Sequence, residues 1–263
     1  MRVIVMAGTA DARRIIGKLS ERGVEVTATA TTDYGAELAG ISGASETVSR
    51  PLTEKELCEL IEEKGAGVLV DATHPFAVRA TWNALKACHE TGAVYVRFER
   101  PPVDAGEVIR VGTFREAAEL ASSLLDDGEV VMHLAGVSTL PEVTGVLGPE
   151  RVAVRVLPYT PSIEACRKLG VPGRNIIAMQ GTFSVELNRA LLRDYGAGAV
   201  ITKDSGETGG LKEKVRAANE LGIPVILVER PSVDLEGEAV FSDPEDLVEY
   251  VEGVLSSLKG DGP

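Results

Sequence analysis

No apolar run in this chain of 263 residues approaches the ~20 residues that a helix needs to cross a bilayer, so no membrane-spanning helix is expected. The opening, MRVIVMAGTADARR, turns polar after a short apolar stretch. That is too short for the core of an export signal, and a cytoplasmic protein is expected. The three cysteines, Cys58, Cys88 and Cys166, sit in helix-like sequence and form neither a disulfide set nor a metal cluster, so they read as buried or half-buried thiols. Positive charge is scarce as well: 27 Lys and Arg face 40 Asp and Glu, a net charge of −13. Such a surface repels phosphate backbones and argues against nucleic-acid binding, while an anionic small molecule would need locally gathered Arg, Lys and backbone N–H groups. No G-x-S-x-G elbow, Walker A loop, H-E-x-x-H or Cys-x-x-Cys occurs, so hydrolase, NTPase and zinc chemistry lose their usual support.

What is present is a repeat. Residues 65–101 and 196–231 both begin Gly-Ala-Gly, run into an apolar strand, break at a polar loop, continue as a helix and pass a glycine (Gly92, Gly222). Each then enters a second apolar strand and stops at Glu-Arg-Pro, Glu99 to Pro101 and Glu229 to Pro231. VIVMAG near the start resembles VVMHLAG at 130–136, and the offset stays at about 130 residues along the chain. Two homologous halves, 1–127 and 128–263, are expected.

Within each half, short β-branched runs such as Val3 to Met6 and Val68 to Val70 alternate with helical segments. Continuously apolar strands suit a sheet covered on both faces, and strand–helix alternation implies right-handed crossovers and a parallel sheet. Thr53, Ser184 and Ser242-Asp243-Pro244 stand where helix N-caps belong. The expected fold is α/β: two similar Rossmann-like, parallel-sheet lobes facing across a cleft. The strand and helix after each Glu-Arg-Pro would either complete their own lobe or cross to the other.

Ligands of open parallel sheets sit beyond the carboxyl ends of the strands, so the loops there are the candidates. AGTADAR follows the first strand and opens a helix: Gly8 and Thr9 would leave N–H groups free for a phosphate, with charge from Arg13. The same residues also read as an ordinary tight turn. The second strand ends in Thr29, Thr31 and Thr32, with Asp33 late for a ribose partner, which leans toward NADPH over NADH unless the segment is simply a threonine-rich edge. DATHPFA holds His74, Pro75 and Phe76, where Pro75 would lay the imidazole against Phe76 or nearby amides; a structural histidine is the alternative. Its counterpart TKDSGETGG carries Lys203, Asp204 and Ser205, then Gly209 and Gly210 before a basic helix, and reads as a second anion loop or a plain surface loop. Arg97, Arg100 and Arg230 close buried strands, where Glu99 and Glu229 would pair with them unless they gather ligand carboxylates.

In this order AGTADAR, TATTDYGAEL, DATHPFA, VRFERP, QGTFSVELN, TKDSGETGG and GIPVILVERP resemble the precorrin-6A reductases of cobalamin biosynthesis, from Val3 to about Pro231. The resemblance implies a reduced nicotinamide cofactor, NADPH or NADH, in the cleft between two Rossmann-like domains. It implies hydride transfer that saturates one double bond of an anionic tetrapyrrole, with or without cobalt. Gly8, Thr9 and Arg13 would sit at the cofactor phosphates, Thr31 and Thr32 near the adenosine end, and His74, Pro75 and Phe76 along the cleft. Lys203, Asp204, Ser205, Gly209 and Gly210 would complete it from the second lobe, with Lys203, Asp204 and His74 the candidate proton donors. The chain departs from the family pattern at Ala7, where a glycine is frequent, and at Ala10-Asp11, where a Glu is frequent. Two rivals share a two-lobed outline: a cofactor-free enzyme of the uroporphyrinogen-III synthase kind, and a binding protein that closes on an anion without chemistry.

Overall fold

The computed structural model describes residues 2–101, 104–204 and 210–260, with side chains to 258. It divides into two compact units, residues 1–101 with 231–263, and residues 102–230.

In the first unit the chain runs β1 (Arg2–Met6), α1 (Ala10–Glu21), β2 (Glu25–Ala30), α2 (Asp33–Ile41) and β3 (Glu46–Ser49). It continues through α3 (Glu54–Lys64), β4 (Ala66–Asp71), α4 (Val78–Thr91) and β5 (Val94–Phe98). The late segment β12 (Ala239–Phe241) and α10 (Pro244–Gly260) returns to complete it. All pairings are parallel, in the order β12-β5-β4-β1-β2-β3. Alternate residues of β1 and β4 are buried on opposite faces. Val3, Val5, Val68 and Val70 pack under α1 and α10 through Ile15, Ile16, Leu19, Leu247, Val248 and Val251. Ile4, Met6 and Leu69 pack on the other side with Leu57, Ile61, Leu85 and Cys88 of α3 and α4. Burial on both faces is why these strands read as unbroken apolar runs. The helix starts are capped as expected: Thr53 forms a full capping box with Glu56, and Asp243 accepts from the Glu245 N–H at 2.7 Å.

The second unit begins with β6 (Ile109–Val111), α5 (Phe114–Leu124), β7 (Val130–His133), α6 (Leu140–Leu147) and β8 (Val152–Val156). It ends with α7 (Thr160–Lys168), β9 (Ile176–Ala178), α8 (Val185–Asp194), β10 (Ala197–Lys203), α9 (Leu211–Asn219) and β11 (Val225–Val228). Its sheet order, β6-β11-β10-β7-β8-β9, repeats that of the first position for position.

The compact units do not coincide with the repeat halves divided at 127/128. The strand and helix after each Glu-Arg-Pro join the other unit: β6 pairs with β11, and β12 with β5. The exchange is held by burial. Leu247, Val248 and Val251 of α10 are fully buried in the first unit, and Phe114, Ala117, Ala118 and Ala121 of α5 are buried in the second. The second glycine of each Gly-Ala-Gly lies beneath this exchanged element. A Cβ on Gly67 would stand 2.7 Å from Leu258, and one on Gly198 would run into the Glu129 carboxylate and stand 2.8 Å from Leu125.

Candidate active site

A cavity of about 550 Å³ opens at the carboxyl ends of β1, β2, β3 and β4 in the first unit. The sheet order reverses between β1 and β4, the place where open α/β sheets bind ligands. Met6, Ala7 and Gly8 form one side, Thr29, Ala30 and Thr31 another, and Thr73, His74, Phe76 and Arg79 a third.

Gly8 turns at φ +118°, a conformation that L side chains rarely adopt, and a Cβ built there would meet nothing within 4 Å. Thr9 caps α1: its Oγ1 accepts from the Ala12 N–H at 3.0 Å and donates to the Ala72 carbonyl at 2.9 Å. That second bond ties the first turn to the end of β4. Thr9, Thr32 and Pro75 frame the cavity rather than line it. Thr32 caps α2 by accepting from Gly35 N–H at 3.1 Å, and Pro75 is buried. Arg13 folds back to donate to the Thr9 carbonyl at 3.4 Å, and lies outside the lining as well.

The DATHPFA loop is shaped from below by Asp71, which is fully buried. Its carboxylate accepts from the Thr73 N–H (3.0 Å) and hydroxyl (2.6 Å), the Thr81 hydroxyl (2.7 Å) and the Tyr95 hydroxyl (3.0 Å), and pairs with Arg97 at 2.9 Å. Burial, then the Asp71 charge, push the Tyr95 phenol up, so it stays a donor. With this turn fixed, His74 Nδ1 accepts from the Phe76 N–H at 3.2 Å and the two rings lie 5.6 Å apart. The bond assigns the ring proton to Nε2.

The strand-end arginines have different partners from those expected. Arg97 pairs with Asp71, Arg100 with Asp11, and Arg230 with Asp204, not with Glu99 and Glu229. Arg97 faces Asp71 in register across β4 and β5, whereas Arg100 and Arg230, past the ends of their strands, reach Asp11 on α1 and Asp204 after β10. Asp11 is a buried carboxylate in the first turn of α1, and Arg100 offsets the charge it places beside the turn.

In the second unit Lys203 ends β10, and burial lowers its ammonium to about 8. Asp204 Oδ1 accepts from Arg230 Nη2 at 3.2 Å, and its Oδ2 lies 3.1 Å from Arg230 Nε as an ion-pair contact. Gly210 begins α9 at φ +65°, and a Cβ on it would stand 3.2 Å from Thr182. Ser205 and Gly209 lie outside the described residues.

Sequence reasoning passed over Asp71 as a structural centre and, in the second unit, Arg155 and His133, and it met Lys214 only as part of the basic helix after TKDSGETGG. Arg155, on β8, donates to Asn188 Oδ1 at 3.1 Å with its guanidinium 5.0 Å from the centre of the Phe183 ring, and burial lowers it to about 10. Lys214, on α9, is buried; that burial, then Arg155 and Lys203, lower it to about 7. His133 ends β7 fully buried, with Nε2 3.0 Å from the Gly136 carbonyl, and burial lowers it to about 4. A basic residue in an apolar strand was the available signal for Arg155.

The sequence model of one family, "Precorrin-6x reductase CbiJ/CobK", matches residues 2–252. The chain belongs to the precorrin-6x reductase family. It is 66% identical over 259 residues to the cobalt-precorrin-6A reductase of Methanothermobacter thermautotrophicus, covering 98% of this chain and 86% of that protein. It is 43% identical to the cobalt-precorrin-6A reductase of Methanocaldococcus jannaschii (95% and 98% covered). With the precorrin-6A reductase of Rhodobacter capsulatus it shares 29% (99% and 97% covered). A solved structure, "CobK precorrin-6A reductase", is similar in fold at TM-score 0.76 and 23% identity, with 97% of each chain covered. A member of the precorrin-6x reductase family is an oxidoreductase, and its place is the corrin branch of cobalamin biosynthesis. Membership sets aside the synthase-like and binding-protein readings. No helix among the described residues is long and apolar enough to cross a membrane.

Proposed function

We propose that the chain reduces one carbon–carbon double bond of the cobalt-bearing precorrin-6A macrocycle to the 6B level, with NADPH as electron donor and NADH the weaker substitute. Relatives that are 66% and 43% identical carry the name cobalt-precorrin-6A reductase, which supports the metallated substrate. The cofactor half rests on one observation: no Asp or Glu lines the first unit's cavity, while Thr29, Thr31, Arg50 and Arg79 do. A ribose 2′-hydroxyl is usually held by a carboxylate at the end of β2, whereas a 2′-phosphate is suited by hydroxyls and cations. The open space at Gly8 fits the close approach of a diphosphate to backbone N–H groups.

Bound dihydronicotinamide supplies a hydride, and one proton completes the two-electron saturation. In this reading the Gly8–Thr9 turn, with Arg13, holds the diphosphate, and Thr31 and Thr32 mark the adenosine end. His74, Pro75 and Phe76 wall the apolar side and exclude water. Lys203 Nζ, with its proton loosened by burial, is the first candidate to give that proton. His74 offers a neutral Nε2–H, and Asp204, tied to Arg230, serves better to orient than to donate. Ser205, Gly209 and Gly210 remain second-lobe candidates on the strength of the family resemblance, which also implies hydride transfer in an interdomain cleft.

The test is a titration of folded protein with NADPH and NADH, followed by nicotinamide fluorescence, and then turnover of cobalt-precorrin-6A. Saturable binding with a preference for NADPH, and turnover that drops in Lys203→Ala while the NADPH affinity holds, are expected. Binding of neither nucleotide overturns the cofactor assignment, and unchanged turnover removes Lys203.

A further inference from the structure

The second unit holds a cationic cluster of which the proposed proton step uses only Lys203. Arg155, Lys203 and Lys214 come from β8, β10 and α9, all near the carboxyl end of the sheet. They are close enough that the charges of Arg155 and Lys203 weigh on Lys214. In a chain of net charge −13, surface cations are amply supplied with carboxylate neighbours. Among the described residues Arg155 meets no carboxylate, and its contacts there are the Asn188 amide and the Phe183 ring. Half-burying a guanidinium costs hydration, a cost that an arriving anion offsets.

The cluster is also built rather than accidental. Asn188 is itself fixed, its Nδ2 donating to the carbonyls of Phe183 (3.0 Å) and Ser184 (2.8 Å), which leaves Oδ1 turned to the guanidinium. The aromatic ring supports the guanidinium plane from one side. Only Nη1 is engaged by Asn188, so the fork retains N–H donors in the geometry that matches a carboxylate. Lys214 adds a point charge with little freedom, because its stem is buried on the sheet side of α9.

We propose that Arg155, positioned by Asn188 and Phe183 and assisted by Lys214, binds a carboxylate side arm of the substrate and so determines specificity for polycarboxylate macrocycles. The choice of a macrocycle as the bearer of that carboxylate rests on the function proposed above; the anion site does not. Arg155 in this role touches the periphery of the substrate and is a binding residue, not a participant in proton or hydride transfer.

The experiment uses the full-length chain and, as probe, a free-base porphyrin with eight carboxylates, titrated by absorbance. The porphyrin octamethyl ester and inorganic phosphate serve as separate arms, and NADPH is titrated alongside. Arg155→Met should weaken porphyrin binding roughly tenfold to a hundredfold, the range for losing a charge-assisted pair. It should leave the NADPH dissociation constant within about twofold and the thermal midpoint little changed, since a half-buried charge is replaced by an apolar side chain of similar length. Arg155→Lys should recover part of the affinity, and the ester should bind no better to the wild type than to Arg155→Met. Equal porphyrin binding by wild type and Arg155→Met overturns the assignment, as does a loss confined to NADPH or to phosphate. If folded wild type binds the porphyrin through Arg155 but takes neither nucleotide, the anion site stands and the cofactor assignment above fails.

Discussion

At the end of β1 the chain turns through Gly8 and Thr9 into a capped helix, and the space in front of the turn is open. At the end of β7, the matching strand of the second unit, the turn is filled from within. His133 reaches Gly136 and Thr139 at 3.0 and 3.1 Å, and a short 3-10 turn over Val137–Thr139 replaces the first turn of a capped helix. The next strands differ just as consistently. β4 pairs Asp71 with Arg97 across to β5, whereas β10 pairs Thr202 with Leu227 at the corresponding place. Charge and partner have been kept or lost together, as a buried pair requires. Two copies of one topology can therefore divide labour. The first keeps an open turn and shapes a histidine loop with a buried carboxylate; the second closes its turn and gathers cations at Arg155, Lys203 and Lys214.

The most forceful way to break this comparison is Asp71→Asn, which leaves Arg97 buried without its counter-ion and should cost about 3–5 kcal/mol. Denaturant unfolding checks the loss. The double variant carrying Asp71→Thr with Arg97→Leu, the second unit's own pair, should regain much of it, giving a large coupling energy in the cycle. Purely additive losses would show that the two residues do not act as a pair.

Next in size is an acid sensitivity confined to the second unit. His133 is neutral when folded, with its proton affinity held to about 4 by burial, against about 6.5 when unfolded. Below pH 6.5 the unfolded chain binds the extra proton first, so stability falls as pH drops from about 6.5 toward 4, by on the order of 3 kcal/mol in total. Unfolding curves across that range should show the decline in wild type and a flatter profile in His133→Asn. An identical pH profile in the variant would sink the attribution.

The smallest effect sharpens the likeness between the units instead of their difference. Gly67→Ala and Gly198→Ala should each cost roughly 1 kcal/mol, because the side chains they meet, Leu258 at the first and Glu129 with Leu125 at the second, have flexible ends that can swing aside. Similar small drops in thermal midpoint would confirm that both glycines seat the exchanged element.

Much of this was legible before any coordinates. The alternation of apolar runs with helical segments determined two parallel sheets, because strands covered on both faces must be apolar throughout and parallel neighbours need crossovers. The repeat of Gly-Ala-Gly and Glu-Arg-Pro determined that the two sheets share one order. Loops after strands marked His74, Phe76 and Thr31 as cavity residues, since open sheets expose those ends. Three things belonged to the tertiary structure alone. The crossing of β6–α5 and β12–α10 depends on which sheet edge a short strand meets, and three residues carry too little pattern to say. The partners of Arg97, Arg100 and Arg230 depend on side-chain direction across neighbouring strands, which pairs residues far apart in the chain and passes over the adjacent glutamates. Arg155 was not singled out from the sequence, and Lys214 was legible only as part of the basic helix after the second anion loop. Only packing, by setting Arg155 against Asn188 and Phe183 and bringing Lys214 near it, grouped them into a site.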